Sequence, residues 1–305
     1  MPCYHPIVAY QHKFRKTKTG KSLIDFKGGS VREWDEIKLP CGRCVGCRLE
    51  RSRQWALRCV HEAEYHENNC FITLTFDDEH IAKDYSLHKV DFVNFMKRLR
   101  KRVDEEYGLK IRFFHCGEYG ELKGRPHHHA IIFGFDFPDK KLWRVVDSFP
   151  LYRSELLESV WPFGFSSIAG FSFESAAYVA RYILKKVNGD EADEHYNGRE
   201  PEYVTMSRMP GIGYQWLMEH PEIYNYDEVV YKNHKGKMIA CKPPRFYDKI
   251  FDSIAPDFME DIKNKRKLKA EINDEKNRIP NRLAQKEEYK RIIIKKLRRS
   301  YEAEV

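Results

Sequence analysis

Three consecutive histidines, His127-His128-His129, run directly into Ala130-Ile131-Ile132-Phe133. An apolar run of this kind, rich in β-branched and aromatic residues, reads as a buried strand. Successive side chains in a strand alternate between faces, so His127 and His129 project together and His128 points the other way. Two imidazoles side by side suit a divalent metal. The plainer reading of the same residues is a solvated turn, and the apolar run that follows weighs against it.

The flanking sequence supplies partners for that strand. Residues 110–117 read as a strand, and the Gly-containing turn 119–125 joins it to the histidine strand over residues 126–135. Upstream, Cys70-Phe71-Ile72-Thr73-Leu74-Thr75-Phe76 is a further buried strand. A helix is expected from Ser86, read as its N-cap, to about Tyr107, where Gly108 stops it. Its apolar stripe is read as Val90, Val93, Met96, Leu99 and Val103. Lys97, Arg98, Arg100, Lys101 and Arg102 make the remainder basic. Downstream come a short helix over 154–161, a strand over 165–169 and a helix over 173–187. The order β-α-β-β-α-β is that of a ferredoxin/RRM-like split βαβ antiparallel sheet, so the class is α+β, with a further helix beyond the last strand.

The register of the hairpin decides the third metal ligand. If Glu118 pairs opposite His127, its carboxylate joins the two imidazoles; a one-residue slip places His115 opposite His129 instead. Glu118 is the favoured ligand, with His115 and Glu121 as alternatives. A carboxylate with two imidazoles fits Mg²⁺ or Mn²⁺ better than three imidazoles do.

Tyr178 and Tyr182 lie four apart on the expected last helix, which puts both hydroxyls on one face, with Lys185 on a neighbouring one. Tyrosine can attack phosphorus and carry the resulting covalent phosphate. With an ordinary pKa of about 10 it needs help from a metal or a lysine near neutral pH. An isolated Tyr-x-x-x-Tyr is more commonly a pair packed in a core, so the histidine strand is what raises this one.

Near the N-terminus, Cys41, Cys44 and Cys47 form two overlapping C-x-x-C units, and Cys3 can complete a tetrahedral set for structural Zn²⁺, with His5 as a possible substitute. Gly42 and Gly46 favour a turning loop able to converge the thiols. An iron–sulfur centre and free thiols are the alternatives. Eight cysteines with no signal-like N-terminus are expected to be thiols or ligands, not disulfides. The net charge of +8 favours a polyanionic partner. No Gly-rich phosphate loop ending in Gly-Lys-Ser/Thr occurs, so nucleotide-driven unwinding is assigned to another protein.

Taken in order, these segments resemble the HUH endonuclease superfamily and, within it, the rolling-circle replication initiators of microviruses, the gokushovirus branch above all. Phe71-Ile72-Thr73-Leu74-Thr75-Phe76 is similar to the first family motif. Pro126-His127-His128-His129 is similar to the His-hydrophobe-His motif, with histidine in place of the hydrophobe. Residues 178–185 resemble the two-tyrosine motif, each tyrosine followed three residues later by a base, Arg181 or Lys185. The likeness at branch level extends to residues 41–47 and 207–213.

The resemblance implies a metal-dependent tyrosine endonuclease and strand transferase. Tyr178, Tyr182 and Lys185 would be catalytic, and the partners single-stranded origin DNA with a host helicase and polymerase, in the cytoplasm of an infected bacterium. A non-catalytic nucleic-acid-binding module and a transposase or relaxase of the same superfamily are the competing readings. The expected organisation is a Cys-cluster and basic-helix segment (1–67), the nuclease core (68–190), an accessory segment (191–260) and a charged helical tail broken near Pro280 (261–305), with no membrane span.

Overall fold

A computed structural model describes residues 3–18, 20, 22–120, 124–146, 149–181, 191–232, 236–277 and 281–295. The chain divides into two compact units, residues 1–50 with 264–298, and residues 51–263 with 299–305. In the first unit, β1 (Ile7–Lys16), β2 (Ser22–Asp25) and β3 (Trp34–Leu39) form an antiparallel sheet in the order β2-β1-β3. The sequence had offered only polar, aperiodic residues here. The physical reason is that this sheet buries little: Ala9 and His12 are the strand residues that are buried, while Ile7, Val8, Phe14 and Ile24 stay exposed. No period-2 apolar pattern exists for a reader of the sequence to detect. The last strand leads through Cys41–Cys44 into helix α1 (Val45–Ala63).

The second unit is organised by a seven-stranded antiparallel sheet. Its core alternates β4 (Asn69–Thr75), α2 (Lys89–Tyr107), β5 (Arg112–Tyr119), β6 (Pro126–Phe133), a hairpin of β7 (Lys141–Val146) and β8 (Phe149–Arg153), α3 (Glu155–Val160), β9 (Ser166–Gly170) and α4 (Phe173–Arg181). After α5 (Glu191–Tyr196), β10 (Tyr203–Met206) returns to the sheet, whose order is β10-β5-β6-β4-β9-β8-β7. The central β5-β6-β4-β9 is the spatial order of a split βαβ unit, as expected; β10 and the β7–β8 hairpin widen it at either side. Helix α5 opens the accessory segment, and its Tyr196 is buried. Then follow α6 (Tyr214–Glu219), α7 (Ile223–Tyr226), the hairpin β11 (Val229–Lys232)–β12 (Met238–Cys241) and α8 (Arg245–Ile254).

Two charged helices close the chain, α9 (Pro256–Asn277) and α10 (Arg282–Lys295). Pro280, where the tail is expected to break, lies outside the described residues. The start lies earlier than Asp261, at a proline in the first helical position, where its missing N–H costs nothing. No helix among the described residues is long and apolar enough to cross a membrane.

Strand alternation gives the large sheet two separate cores. On one face Cys70, Ile72, Leu74, Ala130 and Ile132 pack under α2 and α3. On the other, Phe71, Phe114, Ile131 and Phe133 pack with Ala56 and Cys59 of α1 and Ala176, Val179 and Ala180 of α4. Helix α2 departs from its expected stripe. Phe92, Phe95, Met96, Leu99 and Val103 are buried, whereas Val90 and Val93 are exposed. The stripe rotates because two phenylalanines remove more apolar surface from water than two valines. Ser86 is not the N-cap either: His88 holds that position without a side-chain cap, and Ser86 Oγ accepts a hydrogen bond from Glu200 N.

Candidate nuclease site

The β5–β6 register sets Glu118 opposite His127 and Cys116 opposite His129. On the other side of β6, Thr75 pairs with His127 and Thr73 with His129. One face of three adjacent strands therefore carries two rows, Thr75-His127-Glu118 and Thr73-His129-Cys116. His129 Nε2 donates to Glu118 Oε1 across the diagonal at 2.7 Å, and both side chains are 1% exposed. Thr73 Oγ1 lies 3.0 Å from His129 Nδ1, and Thr75 Oγ1 lies 3.0 Å from His127 Nδ1. A hydroxyl can accept or donate, so each threonine can orient its imidazole in either tautomer.

By donor type alone this set suits a divalent cation. It offers two imidazoles with Nδ1 already engaged and one carboxylate, all on one face of a rigid sheet. In this structure Glu118 and His129 bond to each other directly. Among the described residues the group whose donor atoms all gather within 4.8 Å of one another is the set of four cysteines.

His115 and His128 occupy the opposite face. His115 lies flat on Phe92, with ring centroids 3.4 Å apart, and its Nδ1 bonds the hydroxyl of Thr205 (2.9 Å). Its Nε2 is 3.2 Å from His128 Nδ1. The register thus separates His115 from the His127–His129 pair. Burial, and then the neighbouring histidines, hold His115 well below the usual imidazole range and push His128 down to about 3. His128 sits among Phe76, Phe92 and Trp161, which accommodate it where the related motif has a hydrophobe.

Helix α4 brings Tyr178 to the Glu118 face. Its start is fixed by a reciprocal cap in which Ser172 Oγ accepts from Ser175 N (3.1 Å) and Ser175 Oγ accepts from Ser172 N (2.8 Å). Ser52 Oγ of α1 donates to Ala177 O (3.1 Å) and braces the next turn. Tyr178 is buried, its ring perpendicular to that of His129 (centroids 5.4 Å) and edge-on to Phe71 (6.0 Å). Tyr182 and Lys185 lie outside the described residues, as does Glu121.

The sequence reading missed Thr73 and Thr75 as supports for the histidines. Their alternation within the strand 70–76 was the available signal. It also did not single out Arg58 of α1. Arg58 is buried between the rings of Trp55 and Phe246, and desolvation pulls it down to about 10.

A family model described as replication-associated protein ORF2/G2P matches residues 69–187, which begin at β4 and run past α4. The replication-associated protein VP4 of Bdellovibrio phage phiMH2K is 32% identical over 277 residues, covering 88% of this chain and 83% of the relative. ORF2 of Spiroplasma virus 4, also a replication-associated protein, is 30% identical over 287 residues, with 87% and 86% covered. ORF4 of Chlamydia phage 1 is 36% identical over 202 residues, 63% of this chain and 50% of the relative. No solved structure matches. The chain belongs to this family of phage replication-associated proteins, the microvirus-like group of rolling-circle initiators.

Proposed function

We propose that the chain nicks single-stranded DNA at a replication origin through a 5′-phosphotyrosyl intermediate and rejoins the ends into a circle. The observation that carries this reading is the placement of Tyr178 against His129, directly over the face that holds His127 and Glu118. His127, His129 and Glu118 would hold Mg²⁺ or Mn²⁺, which when bound supplies charge stabilisation at the scissile phosphate.

Thr73 and Thr75 fix the imidazoles. Burial of Glu118 and His129 keeps water from competing for the donor atoms. The oxygen of one tyrosine, Tyr178 or Tyr182, attacks phosphorus. The P–O bond to the 3′ oxygen breaks, the 3′-hydroxyl leaves protonated, and the 5′-phosphate stays on the tyrosine. Lys185 is the residue assigned to ease loss of the phenolic proton. A host polymerase would extend the free 3′ end. The second tyrosine would then cut the regenerated origin, and the new 3′-hydroxyl would displace the first tyrosine from its phosphate to close the circle.

A non-catalytic nucleic-acid-binding module built on the basic helices is the second reading, and α2 would serve it away from the Glu118 site. That helix packs on the sheet face opposite the Glu118 site.

The test is incubation of the full chain with a labelled origin strand and Mn²⁺, followed by peptide mapping of the covalent adduct. The expected product carries the label on Tyr178 or Tyr182, and the Tyr178→Phe/Tyr182→Phe double variant forms none. An adduct that survives in the double variant overturns the assignment.

A further inference from the structure

The cysteine cluster in the first unit is not used by the nuclease chemistry. Cys3, Cys41, Cys44 and Cys47 come from the N-terminal residues, the loop after β3 and the first turn of α1, yet their sulfurs all lie within 4.8 Å of one another. Gly42, at φ 74°, makes the turn that brings Cys41 back towards Cys44. Backbone amides already point at the sulfurs: Cys41 N donates to Cys3 Sγ (3.3 Å), Cys44 N to Cys41 Sγ (3.3 Å) and Tyr4 N to Cys44 Sγ (3.4 Å).

The spacing discriminates among occupants. All four are free cysteines, with none paired as disulfides. Tetrahedral Zn²⁺ with bonds of about 2.3 Å sets neighbouring thiolates about 3.8 Å apart. The Cys3 and Cys44 sulfurs are 4.0 Å apart. An iron–sulfur cube places an inorganic core among its four cysteines and holds their sulfurs farther apart than a single ion does.

We propose that these four thiolates bind one Zn²⁺ that staples the small N-terminal sheet. The need for a staple is visible in the burial. From residue 3 to residue 44, Cys3, Ala9, His12 and Cys44 are the described residues that are buried, too little apolar surface to hold three strands. An ion joining position 3 to position 47 closes the chain around β1, β2 and β3. The ion pair of His5 with Glu287 on α10 (2.6 Å) follows two residues after Cys3 and anchors the same segment from its other side.

The test is elemental analysis of the full chain, purified reduced from zinc-supplemented culture in a His127→Ala/His129→Ala background, so that the nuclease site cannot contribute. Close to one zinc per chain is expected, retained by Cys241→Ser and lost by Cys44→Ser/Cys47→Ser. Because the double-cysteine variant can also fail by misfolding, the unmutated cluster is stripped and titrated with Co²⁺. Intense thiolate-to-cobalt charge-transfer absorption is expected. A zinc-free protein, iron–sulfur absorption, zinc retained by the cysteine double variant, or cobalt binding without charge-transfer bands would each overturn the site. Amide exchange over Ile7–Lys16 should accelerate at least about tenfold when the metal is stripped; unchanged exchange would overturn the staple. None of these outcomes bears on the tyrosine adduct.

Discussion

Strand β6 presents the same residue type to both faces of one sheet, and the two faces treat it in opposite ways. His127 and His129 meet hydroxyls, and His129 also a carboxylate, polar partners that orient an imidazole. His128 meets aromatic rings and one other imidazole, and its Nε2 has no partner among the described residues. A consistent tautomer has His128 Nδ1–H donating to His115 Nε2, which leaves the orphan nitrogen as an acceptor and not as a buried N–H. The comparison teaches that a histidine becomes a candidate ligand through what its neighbours offer to its second nitrogen.

The contrast can be broken most directly at the carboxylate. His129→Ala or Glu118→Gln should each lower metal-dependent nicking about 100-fold or more, measured as single-turnover cleavage of an origin strand with saturating Mn²⁺. If His128→Leu instead proves the inactive variant, the two faces have been assigned the wrong way round. Thr73→Val is a finer probe, since it leaves both imidazoles and the carboxylate in place. It should weaken the apparent Mn²⁺ affinity about tenfold, read from a metal titration of the nicking rate. His128→Leu itself should keep nicking within about threefold. Its unfolding free energy in urea should change by about 1 kcal/mol or less, because the substitution removes one unpartnered acceptor while leaving His115 Nε2 without its neighbour.

The smallest effect is the pH response. His128 is held neutral in the fold, at about 3, while an unfolded chain takes up a proton below about 6.5. Its contribution is therefore complete above about pH 6.5 and lost as pH falls from there towards 3. Thermal melts of metal-free protein between pH 7 and 5 should show a falling Tm, with a shallower slope in His128→Leu. An identical slope would show that His128 is not a source of the acid sensitivity.

Much of the large sheet was legible because its strands are buried on both faces. The runs 70–76 and 126–133 are near-continuous apolar or histidine stretches, and the hairpin between β5 and β6 left only two registers to choose between. What escaped had weak or competing patterns. In α2 both a valine stripe and a phenylalanine stripe fit helical spacing, and the packing partners Phe113, His115 and Trp161 decided between them. The short strand β10 holds four half-buried residues, and it is strand-like because β5 pairs with it. For the site, the histidines and Glu118 could be named from sequence, whereas the support from Thr73 and Thr75 required knowing that β4 lies next to β6.

The pairing of β10 also has a consequence for change at the site. Glu118 lies on a strand bonded on both sides, with Tyr203 opposite Gly117 and its ring covering the space a larger residue at 117 would need. Sliding β5 by one position would have to break two ladders at once and drive a side chain into Tyr203. The placement of Glu118 opposite His127 is therefore set by these ladders rather than by the connection over residues 120–125. Loop length and composition there can diverge, or be exchanged between relatives, while the spacing of Glu118 to His127 and His129 stays the same. That makes this connection a place where sequence can change while the candidate site on β5 and β6 is kept.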